Sequence, residues 1–151
     1  MNKTRDELME EKMIDWTTFY RRNVHRFIQH YLGVKLHLFQ IILMYFMNLN
    51  TLFMFIGSRG IGKSWIICLY SIARCILYPK TQVVIASGAK NQARLIITQK
   101  LIKDFIVNYP NVAKEIKNIK DSANETIVYF HNGSTMEAVT SNDNSRGLLI
   151  A

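Results

Sequence analysis

The sequence predicts an α/β fold: a mostly parallel sheet with flanking helices, preceded by N-terminal helices and carrying a β-hairpin near the C-terminus. Three observations predict it. The first is Gly57-Ser58-Arg59-Gly60-Ile61-Gly62-Lys63-Ser64, which matches Gly, four residues, Gly-Lys-Ser/Thr. An apolar run, Leu52 to Ile56, leads into it, and an apolar helical stretch from Trp65 leads out. Strand, glycine-rich loop and helix in that order are the P-loop, or Walker A, context, so the predicted class is P-loop NTPase-type. The second is Val83-Val84-Ile85-Ala86, an apolar run that follows the helix and completes a right-handed βαβ unit. The third is Asn132-Gly133, the strongest hairpin-turn dipeptide.

Composition is compatible with such a domain. The chain has 151 residues, 49% apolar and 20% charged, enough for one globular core and unlike a disordered segment. The formal net charge is +8. A basic balance suggests an anionic partner, nucleic acid being the usual one, and a basic surface with no partner is the plain alternative. Cys68 and Cys75 lie seven residues apart on the predicted helix. That places their Cα atoms roughly 10 Å apart, too far for a disulfide. Reduced, buried thiols in a cytoplasmic protein are the simplest account. Met1 to Glu11 is polar and charged, without the apolar core of a signal peptide. Leu36 to Ile56 competes weakly as a membrane span, because Gln40, Asn48, Asn50 and Thr51 interrupt it.

The elements follow in chain order. Asn2 to Tyr31 reads as helical and amphipathic. Trp16, Phe19, Tyr20, Phe27 and Ile28 form its apolar side, and Gly33 stops it. His25, His30 and His37 show no metal-ligand spacing and read as surface or packing residues. Leu36 to Met47 is apolar almost all round and reads as a buried helix. Leu52 to Ile56 reads as a strand buried on both faces. A helix follows over Lys63 to Leu77, ended by Pro79, and then a strand over Thr81 to Ser87. Lys90 to Asn108 reads as a third helix, with Ala93, Ile97, Leu101 and Phe105 as its buried stripe and Pro110 closing it. Val112 to Ile119 suggests a short helix. Thr126 to His131 then pairs with Ser134 to Val139, and Ser141 to Ser145 is a polar loop before the apolar Leu148-Leu149-Ile150-Ala151.

Chemistry concentrates at the glycine-rich loop. Backbone N–H groups of such a loop point inward at a phosphate, at the positive end of a helix. Gly57, Gly60 and Gly62 let the backbone curl close to it, with Ser58 and Ile61 completing the cradle. Lys63 reaches the β- and γ-phosphates and the Ser64 hydroxyl holds Mg²⁺. Arg59, inside the loop, either faces the γ-phosphate or points to solvent. Arg146, in Asn144-Ser145-Arg146-Gly147, either reaches a nucleotide as an arginine finger or is a solvated loop charge. Gln40 is a lone amide on an apolar helix. An adenine edge would satisfy it, and so would a backbone partner. Hydrolysis also needs a Walker B acid ending an apolar strand. Asp104, Glu125 and Glu137 do not stand in that position, so the expectation is binding without efficient turnover.

Taken in order, these pieces resemble the large subunit of the tailed-phage DNA-packaging terminase, in the N-terminal part of its ATPase domain. Trp16 through Tyr31, with Tyr20-Arg21-Arg22-Asn23-Val24-His25-Arg26-Phe27, is similar to the family's lead-in helices. Leu36-His37-Leu38-Phe39-Gln40 resembles its adenine-recognition segment. Ser58 to Trp65 resembles its arginine-bearing Walker A, and Ser145-Arg146-Gly147 the triplet before its Walker B strand. The resemblance implies an ATP-driven motor that threads double-stranded DNA into a preformed capsid. It implies ATP and Mg²⁺ as cofactors and work in the host cytoplasm, away from membranes. The portal, a small terminase subunit and other copies in a ring are the implied partners. It assigns phosphate and metal binding to Lys63 and Ser64, a cis-acting charge to Arg59, adenine reading to Gln40 and a trans-acting finger to Arg146. The expected organisation is a helical lead-in over residues 1–35 and an incomplete P-loop ATPase domain over 36–151. A helicase-like or other DNA-dependent P-loop ATPase shares the early elements. A non-catalytic binding or membrane-associated protein with a chance P-loop is the reading from another class.

Overall fold

The computed structural model of the chain describes residues 3–88, 91–122 and 126–140. Helix α1 (Arg5–Arg22) starts at Thr4, whose hydroxyl accepts from the Glu7 N–H while the Glu7 carboxylate accepts from the Thr4 N–H. This reciprocal cap satisfies two donors that the first turn would otherwise leave open. None of the residues of α1 is buried. Its aromatic end instead packs edge-on against the next helix, Trp16 and Tyr20 on Phe27 at 6.1 and 5.7 Å between ring centroids. At Asn23 the backbone leaves helical geometry (φ −126°, ψ 62°), so the expected single helical stretch is two helices, α1 and α2 (Val24–His30). Gly33 ends the second in a left-handed turn, φ +75°, with the Val34 N–H bonding back to the Ile28 carbonyl at 3.2 Å. Only glycine takes that conformation without strain.

Helix α3 (Leu38–Leu49) corrects an expectation. It is not buried all round: Gln40, Leu43 and Met44 face the core, while Leu38, Ile42, Tyr45, Phe46 and Leu49 are exposed. Helix α4 (Lys63–Leu77) has the expected bounds and is the centre of the molecule. Its Ile66, Leu69, Ile72 and Ala73 join Phe27, Ile28, Met44, Ile97, Leu101 and Phe105 in one core.

The run at residues 52–56 is the main departure. It belongs to no strand, and Leu52, Met54 and Ile56 are 92%, 84% and 87% exposed. A buried strand needs neighbours on its edges to take its N–H and C=O groups. The described strands pair only with one another, in the order β1-β4-β3-β2. The strand that was to precede the glycine-rich loop is therefore missing from the described sheet.

That sheet has four strands: β1 (Gln82–Ser87), β2 (Ile116–Asp121), β3 (Thr126–Phe130) and β4 (Thr135–Thr140). β1 runs parallel to β4 in register Gln82↔Thr135 to Ser87↔Thr140, and the other two pairs are antiparallel. The expected mostly parallel sheet is thus a mixed one with a single parallel pair among the described residues. Two local features make it so. Asn132-Gly133 turns β3 back on β4, with Gly133 at φ +83°. The short helix expected over residues 112–119 is α7 (Pro110–Glu115), after which Ile116 and Ile119 belong to strand β2, paired with β3.

The third helix also differs from a plain α-helix. α5 (Gln92–Leu95) runs into a π-helix over Ile96–Phe105, which ends in one α turn, α6 (Ile106–Asn108). The Ile106 N–H reaches five residues back to the Leu101 carbonyl. The predicted stripe is correct: Ala93, Ile97, Leu101 and Phe105 are all buried. No described helix is long and apolar enough to cross a membrane.

The hairpin turn also closes the C-terminal end of α4. Asn132 Nδ2 donates to the Cys75 and Ile76 carbonyls at 2.7 and 3.1 Å, and Asn132 Oδ1 accepts from the Ser134 N–H. Ser134, fully buried, donates to the Tyr78 carbonyl at 2.8 Å and accepts from the Thr81 N–H. Asn132→Asp is expected to destabilise the fold by about 2–3 kcal/mol. It removes two donors from helix-terminal carbonyls and puts a negative charge at the negative end of the helix dipole. Urea unfolding at pH 7 checks this, with Asn132→Ala losing less.

Cys68 and Cys75 are free and buried, and burial pushes both thiols up to about 12. Burial and the hydrogen bond to Glu115 push the Tyr31 hydroxyl to about 12 as well. A group whose folded value is raised stabilises the fold only while protonated. Stability is therefore expected to hold to about pH 9 and to fall as pH rises toward 12. Below that window both thiols are expected to resist a disulfide reagent until the chain is unfolded. Rapid labelling of the native chain at pH 8 would contradict the burial.

Candidate functional site

The candidate site is the loop at residues 57–62 and the first turn of α4. Each glycine has a local reason. Gly62 caps α4 in left-handed geometry, φ +83°, and its carbonyl accepts the Ile66 N–H at 2.9 Å. Gly60 is left-handed too, at φ +87°. A Cβ on Gly57 would stand 3.1 Å from Ile61 Cγ2 and from the Phe55 ring. A side chain at Gly57 would press on these neighbours, while at Gly60 or Gly62 it would meet open space but be strained by the left-handed backbone.

Lys63 is half-buried, and its ammonium folds back over the curl. It donates to the Gly57 carbonyl and, at 2.9 Å, to the Ser58 carbonyl. Those oxygens hold a positive charge at the mouth of the loop. Ser64 is exposed and borders a cleft of about 390 Å³ at the carboxyl end of β1. Ser87, Gln92, Gln99 and Lys100 share that cleft, and Ser87 donates to Gln92 Oε1 at 2.8 Å. On its other side Lys63 borders a smaller apolar pocket of about 160 Å³, with Leu43, Met47, Phe53, Phe55 and Ile66. No carboxylate lines either hollow among the described residues. Asp104 accepts from Asn108, and Glu137 from Gln82.

The other singled-out residues are not drawn together. Arg59 is exposed and has no hydrogen-bonding or ionic partner among the described residues. Gln40 is buried and caps its own helix, its Oε1 accepting the His37 N–H at 2.8 Å. One lone pair of the acceptor is therefore used by the backbone, as one of the two sequence readings had it. Arg146 and the triplet around it lie outside the described residues, as does Glu125. Lys100, Gln99, Ser87 and Gln92 were not singled out from the sequence. The signal that finds them is positional: ligands in α/β sheets bind beyond the carboxyl ends of parallel strands, and Ser87 ends β1.

A glycine-rich curl with a lysine folded over it and a hydroxyl after it, at the head of a helix, offers the kinds of groups an anion would need. Comparison with known proteins places the chain more closely. The family described as terminase large subunit, T4likevirus-type, N-terminal, matches residues 54–148, more than half of the chain, and the chain belongs to it. Membership implies a role in phage DNA packaging. The matched stretch takes in residues 57–64 and 145–147, two of the four pieces that carried the resemblance. The lead-in helices and Gln40 lie before it. No curated protein matches the chain.

Proposed function

We propose that this chain is the ATP-binding part of a packaging motor that couples ATP hydrolysis to movement of double-stranded DNA into a procapsid. The observation that carries this is Lys63 held over the Gly57 and Ser58 carbonyls in a loop whose curl depends on glycine. The residues fit a nucleotide's phosphates. The backbone N–H groups of residues 57–62 would serve as donors, the Lys63 ammonium would exchange loop carbonyls for phosphate oxygens, and α4 adds its positive end. Ser64 would supply one hydroxyl ligand to a Mg²⁺ bound with the nucleotide. When bound, the metal neutralises charge on those phosphates. The apolar hollow beside Lys63 suits part of a base or sugar.

Arg59 is free to swing onto the γ-phosphate from its own chain, and Arg146 is assigned to a neighbour's nucleotide in a ring of copies. Gln40 reads adenine with the donor that its capping role leaves over. DNA, the portal and a small terminase subunit are the proposed partners, in the host cytoplasm. Titration with Mg–ATP, ADP and adenosine tests the nucleotide claim. Saturable binding that depends on the phosphates is expected. No binding, or equal affinity for adenosine, would overturn it.

A further inference from the structure

We propose that the junction of α1, α3 and the C-terminal end of α4 is a second anion site, which takes the phosphodiester backbone of nucleic acid. Its arginines stand about 20 Å along the fifteen-residue helix α4 from the glycine-rich loop, and the cleft beside Arg74 reaches back to Met47 and Phe53, which also line the apolar pocket next to Lys63. Three guanidinium groups gather there. Those of Arg21 and Arg74 stand 4.7 and 4.1 Å from the centre of the Tyr78 ring. Arg22 follows Arg21 at the end of α1.

These charges have almost nothing to hold. Arg21 Nε donates to the Leu77 carbonyl at 2.9 Å, which leaves its two terminal nitrogens without partners among the described residues. The guanidinium groups of Arg22 and Arg74 make no hydrogen bond there, and none of the three meets a carboxylate. A guanidinium carries five donors in a fork that matches phosphate oxygens. Helix capping explains why Arg21, Arg22 and Arg74 stand in last turns, where a cation meets the negative end of the dipole. It does not explain why two of them converge on one tyrosine, with the third lining the same cleft and no acid among them in the described residues.

The surface around them is shaped to receive something. Two clefts of about 530 and 550 Å³ lie side by side and share Asn48 and Leu49 as their common wall. Arg74 and Tyr70 line one, and Arg21, Arg22 and Tyr78 line the other. Asn48 Nδ2 donates to the Arg21 carbonyl at 2.9 Å, while Asn48 Oδ1 is buried and accepts from no described group. Arg22, Tyr45, Leu49 and Asn50, which form rims, are exposed, so these are open troughs and not enclosed pockets. Adjoining open troughs with a cation in each suit a chain of phosphates passing across better than one compact anion. Arginine, asparagine and tyrosine are also the side chains that bind phosphate and sugar without reading sequence.

Fluorescence anisotropy of a labelled duplex of about 20 base pairs, titrated with the full chain over a salt series, tests this. The Arg22→Gln/Arg74→Gln double variant is expected to bind about tenfold more weakly at 0.1 M salt and to lower the salt slope by about two. Lys114→Gln/Lys117→Gln removes the same net charge from exposed positions elsewhere and is expected to change affinity by less than about twofold. Circular dichroism melts of both variants show that each is folded. Equal losses in the two variants would reduce the effect to net charge and overturn the site. Cluster-dependent binding of inorganic phosphate or ATP without binding of the duplex would overturn the nucleic-acid assignment. The Mg–ATP titration is a separate readout, so failure here leaves the nucleotide loop standing.

Discussion

Lys63→Ala is expected to weaken Mg–ATP binding about one hundredfold, roughly 2.7 kcal/mol. The reason is the position of its charge. In the free chain the Lys63 ammonium sits on two loop carbonyls, one of them at 2.9 Å. A phosphate entering the curl offers it anionic acceptors at the same spot in place of neutral carbonyls, adding an ion-pair attraction to hydrogen bonds that are charge-assisted in both states. Alanine forfeits the whole difference. The effect on stability is expected to stay within about 1 kcal/mol, since Lys63 is half-buried and the carbonyls it releases can turn to water. Calorimetric titration against wild type, with thermal melts alongside, checks both parts. Lys63→Arg is expected to restore little, because a planar fork does not replace a compact ammonium inside so tight a curl. Equal affinity of wild type and Lys63→Ala would remove the nucleotide reading of the loop.

Residues with a purely local physical cause could be read from the sequence. Gly33, Gly60, Gly62 and Gly133 all take positive φ, as glycine in a stop, a curl or a hairpin turn does. Lys63 to Leu77 is helical from end to end because its apolar residues cover the packed faces. What depended on partners could not be read. The residues Leu52 to Ile56 are apolar enough for an interior strand, but burial of a strand is decided by its neighbours' edges, and none of the described strands supplies one. Residues 116–121 are polar enough to pass for the end of a helix and become β2 only because β3 is there to pair with.

The π-helix is an intermediate case. A strict repeat of four residues drifts about 40° per step on an α-helix of 3.6 residues per turn. Ala93, Ile97, Leu101 and Phe105 nonetheless all stay buried. A wider winding drifts the other way, so the α turn at Ala93 and the π turns after it partly offset one another, and the spacing carried the signal for a helix without its type. For the site, the loop was legible as a motif, while Gln40 shows the limit. Its burial was foreseeable, but whether a backbone or a base would satisfy it depends on the cap that His37 makes.

Phe105→Ala is expected to cost about 3–5 kcal/mol, the largest loss of any single change considered, out of a total stability of about 5–15 kcal/mol for a domain of this kind. Phe105 is fully buried at the end of the π-helix, its ring 5.4 Å from Trp65 and 5.9 Å from Tyr109. Removing the ring leaves a cavity between two elements that are each too rigid to close it. Trp65 follows Ser64 directly in the first turn of α4. The cavity therefore opens beneath Ser64, the residue proposed to hold a metal, and the proposed nucleotide loop is expected to lose precision along with stability. Phe105→Leu, which keeps most of the volume, is expected to cost less than about 1.5 kcal/mol. Guanidinium unfolding followed by Trp65 fluorescence, in a Trp16→Phe background, reads the stability. The same samples titrated with Mg–ATP at a temperature where they remain folded read the coupling to the loop. A loss below 1 kcal/mol for Phe105→Ala would mean that α4 and the π-helix are not close-packed at this point. Unchanged nucleotide affinity in a folded but strongly destabilised variant would show that the first turn of α4 is held from the loop side alone.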